Sequence, residues 1–398
     1  KEFETYLDLQ EKFETRNTAK KAEITNLKNT QNRILQIENN FKEVKEFAGK
    51  SILTSEFLKS LKPSSAQMAA KISDVIGMLE RGMTEGALLD VKKGFTEYLN
   101  SQIKGKSYDL DFNVRQTLGD NLYDINDKFY GNNNVVGSKD LESHGTHVAG
   151  IVAASRNNKK GVNGVANNVK IMAVRVVPDG DEHDKDVALG IRYAADNGAK
   201  IINTSFGKGY SPNKKWVYDA IKYAAKKDVL IVNAAGNEGK DIDIKKTYPN
   251  DSEDLVNEIS DNVLTIGAMS LHYDEKLPAN FSNFGKTNVD VFAPGVDIYA
   301  TMPKDKYTPN SGTSMAAPST AGIAALVRSY YPKLSASQVK HILMNSGIKI
   351  NFEVIKPGSQ SRANPNGEKV PFSDLCVSGR VVNAYNALKM ADRIVNGL

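Results

Sequence analysis

Apolar residues in the first hundred positions recur at helical spacing within a background of Lys, Glu, Asn and Gln. Ile24, Leu27, Ile34, Ile37, Phe41, Val44 and Ala48 share one face, which predicts an amphipathic helix ending near Gly49. Leu27, Ile34, Phe41 and Ala48 keep a heptad interval, but Gln31 and Glu38 fall where a long coiled coil requires apolar side chains. A local helical hairpin is therefore favoured over an extended dimer. Ser64-Ser65-Ala66-Gln67 reads as a capping box opening a second helix through Leu79, and a third helix spans 84–103. None of these helices carries recognisable chemistry, and 1–107 is assigned to an all-α region.

After Gly131 the pattern becomes one of short apolar runs alternating with longer helical stretches, the mark of a parallel sheet covered on both faces. Strands are predicted over 169–177, 200–206, 229–235, 263–269 and 289–293, and helices over 184–197 and 213–227. The small, apolar run 314–331 is also helix-like. The expectation for 108–398 is an α/β domain with a doubly wound, mostly parallel sheet. The polar, turn-rich segments 239–261 and 351–369 are expected as surface loops.

Composition narrows the classes of function. The net charge of +5 comes from 52 basic and 47 acidic residues that are interspersed, with no compact Lys/Arg run, so nucleic acid is not an expected partner. Cys376 is the single cysteine, which excludes an internal disulfide and a cysteine-rich zinc site, leaves the redox compartment open, and reads as an inert core thiol. No stretch approaches the roughly 18 uninterrupted apolar residues of a membrane span. Lys1-Glu2-Phe3-Glu4-Thr5 is neither a signal peptide nor an initiator methionine start, and the chain reads as processed or cut there.

Candidate chemistry gathers where such sheets bind ligands, outside the carboxyl ends of the strands. Ser143-His144-Gly145-Thr146-His147-Val148-Ala149-Gly150 places a histidine at the start of a small-residue helix. Asn233-Ala234-Ala235-Gly236-Asn237-Glu238-Gly239 ends an apolar strand with a polar amide among glycines, and Gly312-Thr313-Ser314-Met315-Ala316-Ala317-Pro318 puts a serine at a helix start. A serine hydroxyl is a poor nucleophile until a neighbouring imidazole removes its proton. At a helix N-terminus its own N–H and the partial positive charge favour a developing oxyanion. Base, nucleophile and oxyanion donor are thus His144, Ser314 and Asn237.

These three segments, in this order, resemble the His, Asn and Ser motifs of the subtilisin family of serine proteases, over about 133–391. Asn203-Thr204-Ser205-Phe206-Gly207, Tyr248-Pro249, Phe281-Ser282-Asn283-Phe284-Gly285, Ala293-Pro294-Gly295 and Val382-Asn383-Ala384 are further family-like segments. The resemblance implies a serine endopeptidase that acts on polypeptides through an acyl-enzyme on Ser314, with His144 rather than His147 as base. It also implies that an extended peptide pairs with Ser205, Phe206 and Gly207 on one side and Ala234, Ala235 and Gly236 on the other, with Phe206 lining a further apolar subsite. It places the protein outside the cell or in a bacterial cell envelope.

The family's first motif, an apolar strand ending in Asp-Ser-Gly or Asp-Thr-Gly, is missing. Asp109, Asp111 and Asp179 stand in no such context. The strand is expected upstream of Lys1, which makes 1–107 an insertion between the Asp and His motifs, similar to long Bacteroidetes-type members of the family. Without the aspartate this segment alone is expected to be nearly inactive; in subtilisin, from which the figure is taken, that loss costs about 3 × 10⁴ in turnover. Two other classes stay open: a peptide-binding pseudoprotease, and a helical interaction module on an inactive fragment. His183, His272 and His341 read as ordinary histidines. His147 lacks the third ligand or His-Glu-x-x-His pattern that zinc requires, and no cofactor is required by the chemistry. Structural calcium, carried by many family members after the His helix, finds Asn oxygens but no carboxylate in Ser155-Arg156-Asn157-Asn158-Lys159-Lys160-Gly161.

Overall fold

The structure, a computed structural model, describes residues 2–104, 115, 118–138, 142–177, 182–361 and 364–397. The chain forms two compact units, 1–113 and 114–398.

The first unit comprises α1 (Glu2–Ala48), α2 (Ser55–Lys59), α3 (Ala66–Glu80) and α4 (Glu85–Lys104). α1 extends well upstream of the apolar stripe, since Lys, Glu, Gln and Ala sustain a helix by propensity alone. Where the stripe exists it is covered locally: Phe41 and Val44 bury against Leu58, Ile72, Val75 and Leu88. Glu38, the residue that spoils a heptad reading, pairs with Lys92 of α4 at 2.7 Å. The start of α3 is a simple N-cap, because Ser65 accepts the Met68 N–H and methionine at that third position offers no acceptor in return.

The second unit runs α5 (His144–Ala153), α6 (Asp184–Asp196), β1 (Ile201–Thr204), α7 (Lys214–Lys226), β2 (Leu230–Ala234), β3 (Val263–Met269) and β4 (Val291–Pro294). It continues with β5 (Ile298–Met302), β6 (Lys306–Asn310), α8 (Thr313–Tyr330), α9 (Ala336–Ser346), β7 (Ile348–Lys349), β8 (Glu353–Ile355), β9 (Lys369–Pro371), β10 (Arg380–Val381) and α10 (Ala384–Asn396). The main sheet has the order β1-β2-β3-β4-β10-β7, parallel except for β7. Pairing of Ile202 with Ile231 and of Asn233 with Thr265 aligns the carboxyl ends of β1, β2 and β3. Successive residues of β2 face opposite layers. Leu230, Val232 and Ala234 pack with α8, α9 and α10, whereas Ile231 packs with α6 and α7. This makes the sheet doubly wound, and it explains why β2 reads as a continuous apolar run: it is buried on both faces.

One predicted strand is absent. Residues 169–177 form no regular element and belong to no sheet, with Ile171 50% and Met172 40% exposed. Val176 nevertheless packs in the same cluster as Ile202, against α6 and α7. Apolar alternation marks the segment as strand-like, but a strand exists only where a neighbour completes its hydrogen bonds, and among the described residues the outer edge of β1 pairs with nothing. The segment 351–369, expected as a plain loop, is framed by the hairpin of β8 and β9. Cys376 is buried, and burial pushes its thiol up to about 11. No helix among the described residues is long and apolar enough to cross a membrane.

The loop 239–262 is tied to the sheet by a buried charge cluster. Asp290 Oδ2 accepts the Thr265 N–H at 2.6 Å, and Lys340 of α9 pairs with Glu258. Burial, then the neighbouring Asp290, raises the Asp251 carboxyl to about 7; burial raises Asp290 to about 6. Both sit above the ordinary carboxylate value, so the folded state holds these protons more tightly than the unfolded chain. The stability they supply is present in acid and lost as pH rises through 6 to 7. Asp251→Asn, which keeps the neutral form, is expected to melt higher than the parent at pH 8, with the difference shrinking below pH 6. Melting temperatures across that range check it, and a gap that widens in acid contradicts it.

Candidate active site

The site is assembled at the N-terminus of α8. A helix start leaves backbone N–H groups without intrahelical acceptors, and here all but one find a partner. The Thr313 N–H donates to Asn237 Oδ1 at 2.8 Å, and the Met315 and Ala316 N–H groups return to Gly312 O. Among the described residues the Ser314 N–H has no protein acceptor. Thr313 Oγ1 also donates to Asn237 Oδ1, at 2.9 Å, and accepts the Gly236 N–H at 3.1 Å. With Asn237 Oδ1 taken twice, its Nδ2 is left facing out. A side chain on Gly312 would set its Cβ 3.5 Å from Asn237 Nδ2 and 3.6 Å from Ser314 N, so these two donors converge on the space that glycine keeps open.

Ser314 and Ser205 are cross-linked: Ser205 Oγ donates to Ser314 O at 2.9 Å, and Ser314 Oγ donates to Ser205 O at 3.2 Å. The loop after β2 is fixed from behind by Asn283, which is fully buried. Its amide donates to Ala235 O (2.9 Å) and Glu238 Oε2 (2.6 Å), and its oxygen accepts the N–H groups of Glu238 and Lys240. Gly236 has φ +105°, and a Cβ there would lie 2.3 Å from the Asn283 amide nitrogen, so this position admits only glycine.

His144 is the first residue of α5, which packs on α8 through Val148, Ile151 and Met315. Gly150 permits that approach to the β5 strand, since a Cβ would meet Thr301 Oγ1 at 2.1 Å. His144 is exposed, with no hydrogen bond to Ser314 and no carboxylate partner among the described residues. Partial desolvation of its ring, then repulsion from His147, lowers its pKa below the ordinary 6.5. His147 is buried and bonds Thr308 O through Nε2 at 3.0 Å, which makes it a packing residue of the β6 strand.

The six residues expected to bind peptide fall in two places. Ala234 and Ala235 are buried at the end of β2, with Gly236 following. Ser205 is buried, while Phe206 and the exposed Gly207 continue β1. Phe206 walls an open depression of ≈ 280 Å³ with Val187, Val217 and Tyr248, and Asp184 and Lys208 form its polar side. The structure thus bonds Ser205 to Ser314, and Asn237 and Gly236 to the adjacent Thr313, while α5, which starts at His144, packs on α8. Thr313 and Asn283 were missed as positioning residues. Their signal was visible only as polar residues inside small or apolar runs.

The loop 155–161 does not fit a strong calcium site. Asn158 Oδ1 accepts the Lys160 N–H and Asn163 Oδ1 the Asn157 N–H, so these oxygens are engaged, and the loop supplies no carboxylate.

Fold and site define an α/β protein with a serine at a helix N-terminus facing an amide donor. The chain belongs to the subtilase family, whose sequence profile it matches over residues 65–372. It is 38% identical over 290 residues to the cell wall-associated protease of Bacillus subtilis (strain 168), covering 71% of this chain and 29% of that protein. It is 44% identical over 191 residues to the thermophilic serine proteinase of Bacillus sp. (strain AK1), covering 48% and 43%, respectively. Subtilisin DY of Bacillus licheniformis is 38% identical over 216 residues, covering 53% of this chain and 72% of that protein. The chain therefore spans less than half the length of the first two.

Asn283→Ala is expected to remove four hydrogen bonds, to the Glu238 and Lys240 N–H groups, the Ala235 carbonyl and the Glu238 carboxylate, lowering stability by about 2–3 kcal/mol in denaturant unfolding. A loss below about 0.5 kcal/mol would show that water or a neighbour replaces the amide.

Proposed function

We propose that this chain forms the greater part of a serine endopeptidase that cleaves polypeptides through an acyl-enzyme on Ser314. The observation that carries this reading is that Asn237 Nδ2 and the Ser314 N–H, two donors without an acceptor among the described residues, lie 3.5 and 3.6 Å from the same point over Gly312. Such preorganised donors stabilise charge that appears on a carbonyl oxygen only in the tetrahedral intermediate. His144 takes the Ser314 proton as base and returns it to the leaving amine. In this chain alone burial and the neighbouring His147 lower the His144 pKa; a carboxylate partner raises it again and orients the ring.

The third member is a carboxylate on a strand upstream of Lys1. Support comes from the sheet: among the described residues the outer edge of β1 pairs with nothing, and Val176 of the segment 169–177 shares the α6 and α7 layer with Ile202 of β1. A parallel apolar strand between them completes that layer, and its carboxyl end delivers an aspartate to the side of the sheet where α5 starts. Separated from that strand, the segment is nearly inactive. The extended-peptide groove is formed by Ser205–Gly207 and Ala234–Gly236. One relative is named as cell wall-associated, and a location outside the cell or in the envelope follows by likeness.

The test uses the protein with its upstream coding region. A fluorophosphonate is expected to label Ser314, and Ser314→Ala to abolish labelling; an unlabelled serine in the folded protein sinks the reading. Asn237→Leu is expected to lower kcat about 10²–10³-fold with little change in KM, a magnitude carried over from the corresponding donor of subtilisin itself. Labelling rate should fall in acid as His144 protonates, with a midpoint at higher pH in the complete protein than in this chain alone, because the upstream carboxylate favours the imidazolium; a rate that does not change with pH removes His144 as the base.

A further inference from the structure

The rim opposite Ser205–Gly207 makes a contact that the proposed chemistry does not use. One side of the backbone beyond β1 is occupied, because Lys208 and Tyr248 exchange N–H to carbonyl bonds at 2.8 Å each. The Gly207 N–H does not join this pairing; it donates to Glu182 Oε1 at 3.1 Å. Glu182 stands two residues before α6, next to its cap residue His183, and its position is over-determined. Lys208 Nζ donates to the Glu182 carbonyl and pairs with Asp184 at 2.7 Å, while Asp184 also accepts Ser211 Oγ and the Asn213 N–H at 2.7 Å each. The first turn of α6 is held in turn by Arg115, whose guanidinium bridges Asp120 and Asp186, and by Lys185 on Asp120.

An extended peptide added to a strand edge uses backbone N–H groups as donors to its carbonyls. On the peptide-groove reading above, on which this inference rests, the exposed Gly207 N–H is such a donor, and one N–H serves one strong acceptor. We propose that Glu182 is a resident competitor for the substrate backbone. Its carboxylate holds the Gly207 N–H until a peptide carbonyl displaces it, so the groove favours extended segments that reach Gly207 with contacts to spare and discriminates against shorter ones at that position. Glu182 is then a specificity-determining residue rather than a loop tether. The distinction is one of sign: removing a tether weakens binding, and removing a competitor strengthens it.

The test is peptide binding by the full chain in a Ser314→Ala background, where nothing is cleaved. A fluorescein-labelled hexapeptide of alanine and phenylalanine, capped at its C-terminus, is titrated by anisotropy. Glu182→Ala is expected to tighten its Kd about three- to tenfold, or about 0.7–1.4 kcal/mol. Glu182→Gln, whose amide oxygen still accepts but lacks charge, gives a smaller gain in the same direction. A labelled dipeptide, too short to span the groove to Gly207, gains nothing. Equal or weaker hexapeptide binding in both variants overturns the proposal. Failure of the protease reading is seen separately, as absent fluorophosphonate labelling of Ser314 in the complete protein, while the hexapeptide comparison still decides the role of Glu182.

Discussion

The arrangement depends on one pair of hydrogen bonds, those by which Asn237 Oδ1 accepts both the N–H and the hydroxyl of Thr313. A helix that starts under a parallel sheet brings several unsatisfied N–H groups to a place where water is scarce, and each has to be capped or used. Here the carbonyl half of a side-chain amide caps one of them. The consequence is directional: with its oxygen committed, the amide can point only its nitrogen outward, next to the one N–H of the helix start that stays unengaged. Everything behind it serves that orientation. Asn283 ties the loop to its own backbone, and Gly236 adopts a conformation that leaves room for Asn283.

Charge is managed differently on the two sides of the cleft. The immediate partners of Ser314 and Thr313 are amides, hydroxyls and backbone groups, with the Glu238 carboxylate held behind them by Asn283. The α6 side is crowded with ions: Arg115, Lys185 and Asp120 are almost entirely buried, yet each is paired and hydrogen-bonded. Burial disfavours the Asp120 charge, but bonds from Arg115 and Lys185 more than offset this and hold its pKa below the ordinary value. Such a cluster contributes little net stability relative to an apolar core, and its geometric demand is its main effect. It fixes where α6 begins, and therefore where Glu182 and Asp184 stand relative to Phe206 and Gly207.

The chain order of motifs made His144, Asn237 and Ser314 legible, because reactive side chains need glycine and small residues around them and such runs are conspicuous. The two-sided burial of β2 and β3 was legible for the same kind of reason, as continuous apolar runs of the right length. Residues 169–177 show where pattern reading ends. Their alternation records a preference for a pleated, half-buried surface, but hydrogen-bonded pairing belongs to the neighbour as much as to the segment. Short elements such as β7, β8, β9 and β10 were equally illegible, since two or three residues carry no period.

By itself, then, the sequence determined the α/β architecture and the doubly wound core and marked the candidate reactive residues, because periodicity and local residue chemistry are properties of contiguous stretches. Only the tertiary structure decided which atoms face each other. That Asn237 presents its nitrogen follows from Thr313, 76 positions away, and that Gly207 is already occupied follows from Glu182, 25 positions away. Hydrogen bonds act over about 3 Å of space and are indifferent to distance along the chain, so partners of this kind become known only once the fold has brought them together.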